Sequence, residues 1–230
     1  MNLLKSFMNC LEIEDCYIHV ENGGDFFLRR ECDTLKIFFE WSDGAEDWFN
    51  NFRFLAIPRK PYKGMTSVWF CHRGFFKVWK SIKPYICKDI LDPDIHKIEI
   101  VGYSHGAAIA LLCYEYCKYH RPDIDVSGVG FGAPRVFWGY VPKEVKERCK
   151  GFIAVRNGVD IVTHLPPVLF GYHHISRVMR IGKHGLIKDH FPEHYYLNLT
   201  KIFKGADEEW LSMLILRREM EKRKSRRISK

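Results

Sequence analysis

Short apolar runs alternate along this chain with longer segments of helical periodicity. Buried strands are predicted by the apolar runs at residues 35–39, 97–101, 126–131 and 152–155. Helices are predicted at 75–86, where apolar residues recur every three or four positions, and at 107–119, which is apolar on most sides. Strands and helices that alternate in this way predict an α/β protein with a mostly parallel central sheet flanked by helices.

The last part of the chain changes character. An alternating run at 175–181 predicts a half-exposed strand, and an apolar helix is predicted at 210–216. The 230 residues, 47% of them hydrophobic, suit one domain, which we place at residues 1–216. Residues 217–230 form a basic tail, with eight Lys or Arg against two Glu.

The positive charge of the chain belongs mostly to this tail. The formal net charge is +8, of which the tail carries +6. A basic tail can contact an anionic membrane surface, although a solvated helix end has the same composition. The nearly neutral body makes nucleic acid an unlikely partner, and the pattern does not indicate an oligomeric state.

Location is predicted from the N-terminus and from the cysteines. No run reaches the roughly 18 apolar residues of a membrane span, and Glu12, Glu14 and Asp15 interrupt the N-terminal apolar run, which argues against a secretory signal. The eight cysteines are scattered and form no C-x-x-C pair. These features predict a cytoplasmic protein with reduced thiols, and a disulfide-linked secreted protein is the alternative.

The pentapeptide Gly102-Tyr103-Ser104-His105-Gly106 indicates a catalytic site. It joins a predicted strand to a predicted helix, which is the setting of the G-x-S-x-G turn in α/β-hydrolases. Such a turn exposes the serine hydroxyl, and the helix N-terminus places the amide of His105 where it can face an oxyanion. Ser104 is therefore the predicted nucleophile.

A serine hydroxyl is a weak nucleophile until a base removes its proton. In the α/β-hydrolase fold the base is a histidine, and this histidine and its acidic partner both follow the serine in the chain. Asp160, in a loop after a predicted strand, is the preferred acid, and Asp123 and Asp125 are the competitors. His190 is the preferred base, with His194 as its rival.

The chain resembles the class 3 (fungal-type) lipase family over roughly residues 35–200. The resemblance is carried by six elements in family order: DWFNN at 47–51, HRGF at 72–75, GYSHG at 102–106, GAPRV at 132–136, NGVD at 157–160 with LPP at 165–167, and Asp189-His190 with Tyr195. It implies the α/β-hydrolase fold with a triad of Ser104, Asp160 and His190.

The resemblance also implies an oxyanion hole made by the amides of Ser42 and His105. Glu40 and Trp41 depart from the family, which usually has Arg-Gly or a similar pair before the oxyanion residue. The expected activity is hydrolysis of carboxylic esters, of a lipid or a smaller substrate, through an acyl-enzyme and without a metal or organic cofactor. A thioesterase, an amidase, or a weakly active or inactive binding module on the same fold are the alternatives.

Overall fold

The computed structural model describes residues 2–11, 18–20, 24–39, 55–59, 67–183 and 187–203. The predicted helix at 210–216, the basic tail at 217–230 and the proposed oxyanion residue Ser42 lie outside these ranges. The boundary predicted at residue 216 therefore stays a prediction. Within the described part of the chain, no helix has the length and apolar character needed to cross a membrane.

The elements of the described residues alternate between strands and helices. The helices are α1 (Leu3–Leu11), α2 (Arg73–Ile90), α3 (His105–His120), α4 (Lys143–Cys149) and α5 (Pro192–Phe203). The strands are β1 (Ile18–Val20), β2 (Gly24–Glu31), β3 (Thr34–Phe39), β4 (Ala56–Arg59), β5 (Trp69–His72), β6 (Lys97–Tyr103), β7 (Asp125–Phe131), β8 (Phe137–Trp138), β9 (Phe152–Asn157), β10 (Tyr172–His173) and β11 (Arg177–Ile181). Single 3-10 turns lie at Ile161–His164, Val168–Phe170 and Ile187–His190.

The main sheet has seven strands in the order β1-β2-β3-β6-β7-β9-β11. β3, β6, β7, β9 and β11 pair in parallel, whereas β1 and β2 extend the sheet by antiparallel pairing. A smaller antiparallel sheet has the order β10-β8-β5-β4. The mostly parallel sheet predicted from the sequence is confirmed, and the carboxyl ends of its parallel strands share one edge.

Helices cover both faces of the main sheet. On one face, α2, α3 and α4 pack through residues such as Trp79 against Ile100 and its neighbours. On the other face, α1 and α5 pack through Phe7 and Tyr195 against Val101 and the strand residues beside it. Consecutive residues of a strand point to opposite faces, and β6 is buried on both of its faces from Ile100 to Tyr103.

The strands and helices predicted within the described residues match the observed ones to within a few residues, and the alternating run at 175–181 is observed as β11, an edge strand. The sequence did not predict α1, the β1–β2 pairing or the small sheet. No disulfide links the seven cysteines in the part of the chain that the structure describes.

Candidate active site

Ser104 lies on the sharp turn between β6 and α3. Its backbone has φ of 53° and ψ of −119°, in a region that residues other than glycine rarely adopt. A Cβ at Gly102 would lie 2.4 Å from the carbonyl oxygen of Gly106, so only glycine permits this approach of strand and helix. The Ser104 side chain does not cap α3, which leaves its hydroxyl for another contact.

That contact is with His190. The Nε2 atom of His190 lies 2.9 Å from Oγ of Ser104, although the two residues are 86 positions apart. His190 ends a 3-10 turn just before α5. The ring of Tyr103 lies nearly parallel to the imidazole at a centroid distance of 5.4 Å, and its hydroxyl donates a hydrogen bond to the carbonyl of His190. Tyr103, which directly precedes Ser104 in the chain, therefore holds His190 in place.

Asp160 lies at the opposite side of the imidazole. The residue follows the carboxyl end of β9 and is fully buried. Both of its carboxylate oxygens lie 2.9 Å from Nδ1 of His190. Oδ1 also accepts a hydrogen bond of 2.9 Å from the amide of Val162, and Oδ2 accepts one of 2.6 Å from the hydroxyl of Tyr195.

These contacts determine which ring nitrogen of His190 carries the hydrogen. A carboxylate only accepts hydrogen bonds, so the Nδ1 atom that faces Asp160 carries a hydrogen. In the neutral ring Nε2 is then an acceptor, and it faces the hydroxyl of Ser104. An imidazole held in this tautomer can remove a proton from the serine.

Tyr195 supports the carboxylate from inside the core. Its hydroxyl accepts a hydrogen bond of 3.1 Å from the amide of Asn157 and donates to Asp160. Burial and the neighbouring carboxylate raise the pKa of Tyr195 well above its usual range, so the phenol stays neutral and remains a donor. The resemblance marked Tyr195 as a family element, but the sequence did not indicate this contact.

Two charged side chains brace the loops that carry the acid and the histidine. Arg135 donates hydrogen bonds to the carbonyls of His164 and Pro166, the latter at 2.9 Å, and so links the loop after β7 to the loop that follows Asp160. Asp189 accepts a hydrogen bond of 2.7 Å from the amide of Val159. These contacts connect three loops at the carboxyl edge of the sheet.

His105 has its backbone in the first turn of α3 and its side chain in the core. The imidazole packs 5.5 Å from the ring of Phe75. Burial, with a smaller contribution from the charge of His72, lowers the pKa of His105 to about 4. The side chain is therefore neutral near pH 7. Its amide lies at the positive end of the α3 dipole, whereas Ser42, the other predicted oxyanion residue, lies outside the described residues.

The competing residues lie away from Ser104 and its contacts. His194 belongs to the first turn of α5, where its amide bonds to the carbonyl of Phe191 at 3.0 Å and its ring lies 6.5 Å from the Phe191 ring. Asp123 contacts Arg121 at the end of α3, and Asp125 begins β7 at the opposite edge of the sheet. The structure brings His190 and Asp160, and not these residues, to the serine.

The comparisons with known proteins agree with this fold. A family model described as Lipase (class 3) matches residues 37–170, more than half of the chain. The chain belongs to the class 3 lipase family. The Rhizomucor miehei lipase propeptide complex superposes with a TM-score of 0.65 at 20% identity, covering 86% of this chain and 78% of that chain. This likeness confirms the predicted α/β-hydrolase fold.

Curated relatives in fungi carry lipase names. A lipase of Rhizomucor miehei is 28% identical over 70% of this chain and 43% of its own length. Secreted mono- and diacylglycerol lipase 1 of Fusarium solani is 28% identical over 59% of this chain and 40% of its own. A secreted mono- and diacylglycerol lipase of Malassezia globosa is 30% identical over 52% of this chain and 40% of its own. The chain thus spans less than half the length of the curated relatives it matches.

These names correct one prediction. The cytoplasmic location expected from the sequence is wrong, because the Fusarium and Malassezia relatives are secreted lipases and point to an extracellular location. The cytoplasmic prediction rested in part on the scattered cysteines, a pattern that favours a reducing compartment. Burial raises the pKa of the Cys113 and Cys149 thiols well above its usual range, so both stay protonated and poorly reactive in an oxidising medium as well.

Proposed function

We propose that this class 3 lipase chain hydrolyses carboxylic esters by acyl transfer to Ser104. The observation that carries the proposal is the continuous line of contacts from Ser104 Oγ through His190 to the buried carboxylate of Asp160, each at 2.9 Å. A hydroxyl on a strained turn, an imidazole and a carboxylate in this order are the parts that serine acyl transfer needs.

The first step forms the acyl-enzyme. Oγ of Ser104 attacks the ester carbonyl carbon while its proton moves to Nε2 of His190. Asp160 stays ionised and stabilises the imidazolium through Nδ1. When the tetrahedral intermediate collapses, His190 gives this proton to the leaving alcohol oxygen. In the second step water attacks the acyl carbon and gives a proton to His190. The bond between the acyl carbon and Oγ of Ser104 then breaks while His190 returns the proton to Oγ, which releases the fatty acid and restores the serine.

The negative oxygen of the intermediate needs hydrogen-bond donors. We assign this role to the amides of His105 and Ser42. The first turn of α3 supports the assignment of His105, because a helix N-terminus favours negative charge. Its neutral imidazole points into the core. Losing one such donor typically costs about 100- to 1000-fold in rate.

Acylglycerols are the substrate class that we propose. The names of the Fusarium and Malassezia relatives specify mono- and diacylglycerols, and a Rhizomucor miehei structure is of a triacylglyceride lipase. The triad itself does not select the alcohol or the acyl length, because those depend on pocket shape. Partial glycerides are the first substrates to test, ahead of thioesters and amides.

A substrate panel tests the proposal. Wild type, Ser104→Ala and the control Ser81→Ala are assayed with mono-, di- and triacylglycerol, a phospholipid, a short p-nitrophenyl ester, an acyl thioester and an acyl amide. Ser81 is a suitable control because its hydroxyl only bonds to the Val78 carbonyl within α2.

We expect ester hydrolysis in wild type and Ser81→Ala, and background rates in Ser104→Ala. Equal ester hydrolysis by Ser104→Ala would remove Ser104 from the mechanism. Faster turnover of the thioester or amide than of every ester would reassign the reaction. A wild type that hydrolyses none of the panel would favour the binding module.

A further inference from the structure

Arg156 is a buried cation that forms no ion pair within the part of the chain that the structure describes. It is the fifth of the six residues of β9 and is 8% exposed. Its Nε atom is buried and has no hydrogen-bond partner, and its guanidinium forms no ion pair with a carboxylate of the described residues. A buried charge of this kind is costly unless it is paired.

Arg148, which is half-buried, and Arg121, which is buried, both have polar partners. Arg148 donates to Glu115 at 2.7 and 2.8 Å. Arg121 donates to three backbone carbonyls at 2.7 to 2.9 Å and contacts Asp123. Arg121 and Arg148 thus have hydrogen-bond acceptors within the fold, whereas the Nε atom of Arg156 has none.

A second guanidinium lies on the neighbouring strand. Arg180 of β11 is directly opposite Arg156 in the parallel register, so both side chains leave the same face of the sheet. Arg180 is exposed. Burial lowers the pKa of Arg156, and the positive charge of Arg180 lowers it further, as expected for two cations that share one region.

Three more residues complete what we call the basic cluster, which consists of Arg135, Arg156, Arg180, His164 and His174. Arg135 is 9% exposed, and burial followed by the charge of Arg156 lowers its pKa. For both histidines, burial lowers the pKa most and the charges of Arg156 and Arg135 lower it further, to about 4 for His174. His164 is exposed, so the cluster reaches the surface at His164 and Arg180.

The carboxylate whose charge acts on this cluster is already engaged. Asp160 raises the pKa of Arg156 and of His164, but its oxygens bond to His190, Val162 and Tyr195. The carboxylate whose charge acts on Arg156 and His164 is thus committed to other donors.

We propose that the basic cluster binds a phosphate group, carried either by a soluble phosphate or by a lipid headgroup. Phosphate offers several acceptor oxygens and up to two negative charges, and guanidinium groups bind such oxygens through paired N–H donors. Arg156 supplies the buried end of the site, and Arg180 and His164 supply its entrance. The site is separate from the proposed ester-cleaving function and does not depend on it.

Inorganic phosphate and single arginine variants test the proposal. Thermal unfolding of the full chain is measured against phosphate concentration, with sodium chloride added to hold the ionic strength constant. The variants are Arg156→Gln, Arg180→Gln and the control Arg177→Gln. Arg177 is also an exposed arginine of β11, but it lies opposite Ile153 and so leaves the other face of the sheet.

We expect phosphate to raise the unfolding temperature of wild type and Arg177→Gln along a saturating curve. Arg180→Gln is expected to weaken the apparent affinity about 10-fold, and Arg156→Gln to abolish saturation. Because an unpaired buried charge is removed, Arg156→Gln without phosphate should be at least as stable as wild type. If Arg156→Gln does not fold, the exposed Arg180→Gln still decides between the two outcomes.

Vesicles identify the source of the phosphate. Sedimentation with phosphatidylglycerol vesicles, compared with phosphatidylcholine vesicles, measures lipid binding of the same variants. Binding to phosphatidylglycerol that Arg180→Gln weakens and Arg177→Gln retains assigns a lipid headgroup, whereas a response to inorganic phosphate alone assigns a soluble phosphate. No saturating response to either probe, or equal responses in Arg180→Gln and Arg177→Gln, would overturn the proposal.

Discussion

Gly132 makes the alignment of the imidazole sensitive to a single methyl group. The residue follows β7 and has a φ of 62°, and its amide bonds to the carbonyl of Val155. A Cβ at this position would lie 2.8 Å from Cε1 of His190 and 3.1 Å from Oδ2 of Asp160. Gly132→Ala is therefore expected to displace the imidazole or the carboxylate without changing any polar group.

The size of the displacement follows from contact distances. Carbon atoms pack at about 3.5 Å or more, so the imidazole has to withdraw by roughly 0.7 Å. A shift of this size lengthens either the 2.9 Å contact with Ser104 or the 2.9 Å contacts with Asp160. Misplacement on the order of 1 Å costs about 100-fold in rate. The left-handed backbone adds a strain of about 1–2 kcal/mol for alanine.

Gly139→Ala separates strain from misalignment. Gly139 has nearly the same φ, 61°, but no described atom lies within 4 Å of a Cβ there. Ester hydrolysis and urea unfolding are measured for both variants. We expect both to lose stability, and Gly132→Ala alone to lose about 100-fold in kcat per folded molecule. A Gly132→Ala variant as active as Gly139→Ala would refute the reasoning that the His190 position limits the rate.

Three further predictions concern stability. Tyr195→Phe removes the hydrogen bond to the Asp160 carboxylate and should lower the free energy of unfolding in urea by about 2 kcal/mol; an unchanged value would contradict this role. Arg148→Met removes a guanidinium partner of the buried Glu115 carboxylate, so a loss of about 3–5 kcal/mol is expected by the same measurement, with kcat per folded molecule retained. The pKa of His105 is about 4 in the folded protein against 6.5 ordinarily, so between pH 6.5 and 4 the unfolded chain binds a proton that the folded chain does not. The free energy of unfolding should fall across this window by about 3 kcal/mol from this group, and His105→Asn should flatten the decline.

The sequence predicted the parts of the fold whose pattern is local. The strand at 97–101 has buried Ile98, Ile100 and Val101, and the helix at 107–119 is buried as far as Cys117. β8 and β10 have two residues each, which is too short for any periodicity. β2 shows no clean alternation, because its burial pattern fades from buried to exposed along the strand.

The site was predictable as a set of residue types but not as a geometry. Spacing along the chain alone did not separate His190 from His194, because both follow Asp160 and they lie only four residues apart. The contacts that distinguish them come from distant elements: the Tyr103 hydroxyl at the carbonyl of His190, and the Asp160 carboxylate at Nδ1. Likewise, the lack of an ion pair between Arg156 and the described carboxylates depends on which side chains surround it in the fold, and a linear pattern does not contain that information.

The central claim is that Ser104 is the nucleophile. The most direct test is intact-protein mass spectrometry after reaction with a fluorophosphonate, followed by peptide mapping, for wild type, Ser104→Ala and His190→Gln. We predict one adduct per wild-type molecule, located on Ser104, no adduct on Ser104→Ala and strongly slowed labelling of His190→Gln. An adduct on another residue of the wild type, or full labelling of Ser104→Ala, would contradict it.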